Sequence, residues 1–292
     1  MKKSRNGTFK YILLMLLALY ALSQIMLLVW GLWNTVKSAD EFRANPLWPP
    51  SSPTLENLLN VLTVMDVRVV LPDQRIGYVP MWIQAVYSVI YALGCALASA
   101  TVCCIVAYAT SKFPYKRING IIFNIVIVTM VLPIVGSLPS ELNVARSLGL
   151  YNKLWGPIIM KANFLGIYYL VFFAAFKSLP DSFSEAAHID GASEWTVMAR
   201  INLPLVRNAF LTILLIRFIE YWGDYQIPLV YIPSYPTLAR GIYDFSLSAG
   251  TRYSTVPMKL AGCFVLLLPV LTLFLIFHNK LVGNIRVGGL KE

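Results

Sequence analysis

The sequence predicts an all-α polytopic membrane protein with six transmembrane helices, and three observations predict it. Of 292 residues, 58% are hydrophobic and only 13% are charged, against about 25% charged in a soluble domain. The apolar residues fall in runs near the ~20 residues of helix that cross a bilayer. Most of the Lys and Arg sit between those runs, where positive charge sets topology. A net charge of +10 suggests nucleic acid at first sight. The positive residues flank apolar runs, however, and form no basic patch interleaved with aromatics. Membrane lipid is therefore an expected partner and nucleic acid is not. Residues 1–292 are read as one transmembrane domain.

The first span covers 11–33, preceded by Lys2, Lys3, Arg5 and Lys10. It has full span length. At the nearest candidate cleavage site, Lys37-Ser38-Ala39, a lysine stands where a small residue is needed, so the helix is read as uncleaved. Residues 34–81 form a polar extracellular loop with Pro46, Pro49, Pro50 and Pro53, then a short helix capped near Thr54. Residues 65–80 show no clear period. The second span, 82–110, is rich in Ala, Gly, Ser and Cys, which let membrane helices pack closely. Cys95, Cys103, Cys104 and Cys263 lie within spans. They lack zinc or disulfide-framework spacing and read as small core residues.

The third span, 118–138, is interrupted by Pro133 and Gly136, which predicts a break at its outer end. The fourth covers 154–176, the fifth 206–229 and the sixth 260–277. Pro228 and Pro233 are expected to end or break the fifth. Residues 231–259 read as a polar, turn-rich loop, His278 as an interfacial residue, and the tail from Lys280 as short and basic.

Charge gives the orientation. With the amino terminus inside, thirteen Lys and Arg lie in inner pieces: Lys2, Lys3, Arg5, Lys10, Lys112, Lys116, Arg117, Lys177, Arg200, Arg207, Lys280, Arg286 and Lys291. Nine lie outside over longer segments: Lys37, Arg43, Arg68, Arg75, Arg146, Lys153, Arg240, Arg252 and Lys259. The bias places both termini in the cytoplasm.

The stretch 185–204, EAAHIDGASEWTVMARINLP, is too polar to cross a bilayer, where a central Asp, Lys or Arg costs roughly 2.5–3.5 kcal/mol. It predicts two short helices joined at Gly191. Ser184 is expected to cap the first, with Glu185 in its first turn. The second is expected from about Ala192 to Arg200, ended by Leu203-Pro204. Glu185, Ala186, Ala187, Gly191, Ile201, Leu203 and Pro204 make the string E-A-A, three residues, G, nine residues, I-x-L-P. An amphipathic connector lying on the membrane needs an apolar stripe but not this Gly and Pro placement.

That string resembles the cytoplasmic EAA loop of permease subunits in binding-protein-dependent ATP-binding-cassette importers. Ile189 to Trp195, IDGASEW, is similar to the maltose-type carbohydrate branch. The resemblance runs from about Thr54 to Lys291. It includes the turn after Ala107-Tyr108-Ala109, the segment Leu148 to Asn152 before the fourth span, and Trp222, Asp224 and Pro228, with Gly223 where the family has Asn. At the tail Gly288, Gly289, Leu290 and Lys291 follow it, while Asn284 and Glu292 depart from it.

The resemblance implies a type I importer permease fold with a cytoplasmic coupling helix. Its expected partners are a second homologous permease in a heterodimer, two copies of an ATP-binding subunit and an extracellular solute-binding protein. The chain has no G-x-x-x-x-G-K-[ST] phosphate loop, so it is not read as an enzyme. ATP and Mg belong to the partner subunits, and no metal or cofactor is expected here. Coupling falls to Glu185, Ala186, Ala187, Asp190, Gly191, Ile201, Leu203 and Pro204. The membrane is the bacterial or archaeal cytoplasmic membrane, and the cargo is a carbohydrate or, in the same architecture, another polar solute such as a polyamine or peptide. The further alternative, an ATP-independent secondary transporter, would ordinarily show an internal repeat and a charged relay, and no convincing repeat is seen. An enzyme would need a clustered nucleophile, base or metal set, and none appears.

Arg217, Glu220 and Asp224 recur at three and four residues, which predicts one helix face in the fifth span. With Tyr221, Trp222, Tyr225 and Gln226 they read as a polar pathway for a hydroxylated substrate. They read equally as an Arg217–Glu220 pair that fixes packing, with Trp222 and Tyr225 as interfacial anchors. His188 reads as a solvated or docking residue.

Overall fold

The computed structural model describes residues 6–70, 75–113, 115–132, 136–248 and 255–285. Lys2, Lys3, Arg5, Pro133, Arg252, Arg286 and the tail motif ending in Lys291 and Glu292 lie outside the described residues. The elements in order are α1 (Asn6–Thr35), α2 (Ala39–Ala44), α3 (Glu56–Val64), β1 (Val67–Val70), β2 (Ile76–Val79), α4 (Met81–Lys112), α5 (Lys116–Val131), α6 (Leu138–Ser147), α7 (Gly156–Met160), α8 (Ile167–Lys177), α9 (Ser182–Ile189), α10 (Glu194–Thr196), a π turn (Val197–Asn202), α11 (Leu203–Leu205), α12 (Arg207–Trp222), α13 (Gln226–Tyr231), α14 (Leu238–Leu247) and α15 (Val256–Ile285).

Three of these helices are long and apolar enough to cross a membrane: Phe9–Thr35, Met81–Lys112 and Val256–Phe277. A fourth candidate is the pair Glu194–Leu205 and Arg207–Trp222, bent by 77°.

The chain divides into two compact units. One comprises Met1–Asp66 and Ile242–Leu268. Here α1 stands exposed over most of its length, and the loop after it is tied down by side chains. The Asn57 amide donates to the carbonyls of Thr35 and Lys37 at 2.8 and 2.7 Å. The Thr54 hydroxyl accepts from the Glu56 N–H at 3.2 Å, but the residue at the cap position of α3 is Leu55, which makes no side-chain cap bond.

The other unit comprises Val67–Gly241 and Pro269–Glu292, and α4 is its axis. Ala92, Cys95, Ala96, Ser99, Ala100, Cys103, Cys104 and Ala107 are all buried and recur at helical spacing. Small side chains on this stripe let the rings of Tyr169, Phe172 and Phe176 from α8 come in, each fully buried. Tyr108 meets Phe176 edge-on at 5.4 Å, and Phe172 meets Phe210 of α12 at 6.0 Å.

The structure departs from expectation in five places. Residues 65–80 hold an antiparallel hairpin, with Val67 opposite Val79 and Val70 opposite Ile76. Val67, Val69 and Val79 face inward against Ile83 and Tyr87. Strands of four residues are too short for alternation to stand out. The fourth span is two pieces, α7 and α8, separated by residues 161–166, with Gly166 at φ 120°. The fifth breaks at Gly223, ahead of Pro228, which sits within the first turn of α13, where a missing N–H costs nothing. Residues 231–259 contain α14, whose Leu238, Ala239 and Ile242 are buried, rather than a polar loop. Arg240, counted above among outer loop charges, is also buried and donates to the Pro233 carbonyl at 2.7 Å. Finally, α15 extends beyond 260–277 at both ends. The break expected after the third span is present: α5 stops at Val131 and Gly136 has φ 80°.

Candidate functional site

Two polar regions stand out in the second unit. The first is the bent segment from α9 to α11. Lys112, at the end of α4, donates to the Leu179 carbonyl at 2.9 Å and pairs with Asp181 at 2.7 Å. The start of α9 is thereby fastened to α4. The helix begins at Ser182, two residues before the expected cap. Ser184 instead accepts a hydrogen bond from the fully buried Asn202 amide at 3.2 Å. Glu185 does stand in the first turn.

The helix ends in a Schellman arrangement. The Gly191 N–H donates to His188 O at 3.0 Å and the Ala192 N–H to Ala187 O at 2.9 Å. Gly191 has φ 80°, a region that glycine enters without steric cost. No atom lies within 4 Å of where its Cβ would be, so the requirement is conformational and not one of close approach within the chain. His188 bridges the bend, with Nδ1 3.2 Å from Ala192 O and Nε2 3.5 Å from Glu194 Oε1.

Ser193 is the cap of the second helix, and its Oγ accepts from the Thr196 N–H at 3.4 Å. That helix does not stop at Leu203-Pro204. It widens into a π turn at Val197–Asn202 and continues through Pro204 to Leu205. Pro204 has no N–H to offer the preceding turn, and a π turn accommodates that loss. The chain then bends by 77° into α12.

Ala186 and Ala187 do not form one face: Ala187 is buried and Ala186 is exposed. Glu185, Asp190, Gly191 and Pro204 are exposed, and Ile201 and Leu203 are half-buried, with Leu203 against the core. Ile189, 86% exposed, and Trp195, 68% exposed, bound the string IDGASEW but were not among the expected coupling residues. Phe183, Ala186 and Ile189 follow one another three residues apart, so α9 turns an apolar stripe outward. The signal was three apolar residues at helical spacing within a charged segment. Behind the second helix, Ile105, Tyr108, Ala109, Phe113, Glu194, Trp195 and Met198 line a cavity of about 240 Å³.

The second region surrounds the end of α12. Arg217 Nη1 lies 3.0 Å from Glu220 Oε2, and the Tyr168 hydroxyl donates to Glu220 Oε1 at 2.6 Å. The Arg217 guanidinium lies 4.3 Å from the Tyr168 ring centroid and 5.9 Å from that of Tyr221. Asp224 is not on this helix face, because α12 has already ended at Trp222. Its Oδ2 accepts from the Tyr91 hydroxyl at 2.7 Å, and its Oδ1 from the N–H groups of Gln226 and Ile227 at 2.9 and 3.2 Å. Asp224 therefore caps α13. Trp222 is buried and stacks on Phe218 at 5.6 Å. Tyr221 is buried edge-on to Tyr91, Tyr225 is half-buried and Gln226 is exposed. The structure thus brings Arg217, Glu220 and Tyr221 together with Tyr168, which the sequence did not single out. It sets Trp222 apart as a packing residue. Lys161, also unremarked in the sequence, opens the break between α7 and α8. Among the described residues no His, Cys, Asp and Glu cluster suits a metal ion.

A family model described as "Binding-protein-dependent transport system inner membrane component" matches residues 99–286. The sulfoquinovosyl glycerol transport system permease protein SmoH of Agrobacterium fabrum is 25% identical over 268 residues, covering 90% of this chain and 87% of that protein. The diacetylchitobiose uptake system permease protein NgcG of Streptomyces coelicolor is 24% identical over 278 residues, covering 94% and 86%. The fold is similar to a chain in a crystal structure of a bacterial ABC transporter involved in the import of the acidic polysaccharide alginate. That match has a TM-score of 0.75 at 20% identity and covers 96% of this chain and 99% of that one.

Proposed function

The chain belongs to the binding-protein-dependent transport system inner membrane component family, and from that premise we propose that it is the permease subunit of an ATP-driven importer for an oligosaccharide or sugar derivative. The cargoes in the names of both relatives are sugar derivatives, which supports the carbohydrate reading. The chain works by alternating access with a homologous partner permease, and a solute-binding protein delivers the cargo. Two copies of a separate ATP-binding subunit supply the energy. It crosses the membrane six times, with the shorter helices α5 and α7–α8 completing the count, and both termini are cytoplasmic.

One observation carries the mechanism: α9 presents Phe183, Ala186 and Ile189 outward while its start is fastened to α4 and the segment after it runs on into α12. An exposed apolar stripe on a tethered helix is a docking element. Glu185 and Asp190 flank it, Gly191 sets its angle, and closure of the ATP-binding subunits moves α4 and α12 through it. Tyr168, Arg217, Glu220 and Tyr221 line the path of the sugar, with rings for its apolar face and charged groups for its hydroxyls. A tagged pull-down from detergent tests the assembly. It should recover a second permease and an ATPase at constant stoichiometry. A chain that emerged alone and still moved solute in liposomes would overturn the reading.

A further inference from the structure

The loop after α1 folds back along the helix. Trp30 Nε1 donates to the Pro46 carbonyl at 2.8 Å, and the Asn34 amide reaches the same oxygen at 3.3 Å. Trp30 lies five residues before the helix end at Thr35. At 1.5 Å per residue, Pro46 is held between the levels of Trp30 and Asn34, at most about 7.5 Å below that end. The apolar helix, 27 residues from Phe9 to Thr35, is longer than the ~20 residues that a hydrocarbon core requires. Trp30 therefore stands near the level where hydrocarbon gives way to headgroups, the usual depth for tryptophan.

A buried cation fixes the descent. Lys37 is fully buried, and its ammonium donates to the carbonyls of Asn45 and Trp48 at 2.7 and 2.6 Å. With those carbonyls turned inward, the side chains of Leu47 and Trp48 are left 69% and 71% exposed. Of the charged residues on α2, Asp40 and Arg43 pair with each other at 3.4 Å, and Glu41 accepts a hydrogen bond from the Ser51 N–H. The loop thus has a charged part on α2 and an apolar tip at the depth of Trp30. The same end of α1 also exposes apolar side chains, Val29 at 40% and Leu32 at 44%.

We propose that Leu47 and Trp48 insert into the leaflet that meets the carboxyl-terminal end of α1, so that residues 45–48 form a lipid-contacting wedge and not a docking surface for a soluble partner. An apolar pair aligned with a membrane span meets the headgroup–acyl boundary without further rearrangement. Tryptophan suits that boundary because its ring is apolar and its N–H is polar. The inference does not depend on the cargo or on which side of the membrane the loop occupies.

Site-directed spin labelling tests it in the full-length chain, co-expressed with its partner subunits and reconstituted in phosphatidylcholine liposomes. Labels are placed by Trp48→Cys and, separately, Leu47→Cys in a Cys263→Ala background. Leu16→Cys and Arg43→Cys serve as lipid and water references. The expected result is severalfold higher relaxation by oxygen than by a water-soluble nickel chelate at 47 and 48, as at 16. Chelate accessibility like that at 43 would overturn the proposal. Protection from both reagents would overturn it as well, since the tip would then be covered by protein.

Discussion

The chain breaks its helices in two contrasting ways. At Gly191 the break is exposed, and the backbone resolves it alone: a left-handed glycine turns the chain and two N–H groups find carbonyls of the same helix. At Gly223 the backbone is ordinary, with φ −84°, and side chains resolve it. There Asp224 takes the two N–H groups that open α13, and Tyr91, distant in sequence, holds Asp224. Where a glycine takes up the left-handed turn, a break needs no side chain. Where the backbone stays ordinary, the freed N–H groups are met by Asp224, and through the fully buried Tyr91 the break becomes a tertiary structure.

The sharpest way to break this contrast is Asp224→Leu. It removes the acceptor of the Gln226 and Ile227 N–H groups and leaves the fully buried Tyr91 hydroxyl without its carboxylate, at about 1–3 kcal/mol for the buried hydroxyl. Thermal unfolding in detergent should show a large loss of stability, while Asp224→Asn, which keeps an acceptor, should recover most of it. Equal effects from the two variants would remove the side chain from the account of this break.

Gly191→Ala should be milder, at roughly 1–2 kcal/mol for forcing a left-handed residue. Membrane levels should stay near normal while uptake falls, and Gly191→Asn, which tolerates that conformation better, should lie between. Loss of the protein from the membrane would show that the bend is needed for folding and not for coupling. The smallest stability effect is expected for Arg217→Leu combined with Glu220→Leu. Glu220 is 45% exposed, and such pairs contribute about 0–1 kcal/mol. If the two residues line the sugar path, uptake is lost at unchanged stability. Retained uptake would leave them as a packing pair.

The sequence was most legible where physics acts locally. α1 and α4 begin and end within a few residues of expectation, because an apolar run carries its own length. Gly191 was legible for a similar reason: a glycine between two short helical patterns has few other uses. A break in the fifth span was expected at Pro228, but its place at 223 was hidden, since Tyr91, distant in sequence, helps to hold Asp224 there. The break at 161–166 was hidden although its N–H groups are met locally. The spacing of Arg217, Glu220 and Asp224 suggested one face because it assumed one continuous helix. Ala186 and Ala187 looked alike, and only the docking of α9 against its neighbours tells them apart. The family resemblance located the loop, but the outward stripe of Phe183, Ala186 and Ile189 follows from the helix phase.

The Lys112–Asp181 contact has a mechanical consequence. The segment from α9 to α11 is joined covalently to α12 at one end and through this contact to α4 at the other, and α4 and α12 pack against each other along their lengths. Three members joined at three corners make a truss, which cannot fold about any single joint. In the proposed coupling role, a push on α9 would therefore be shared between both long helices. Cutting the tie at Lys112 would convert that rigid triangle into a free-swinging arm.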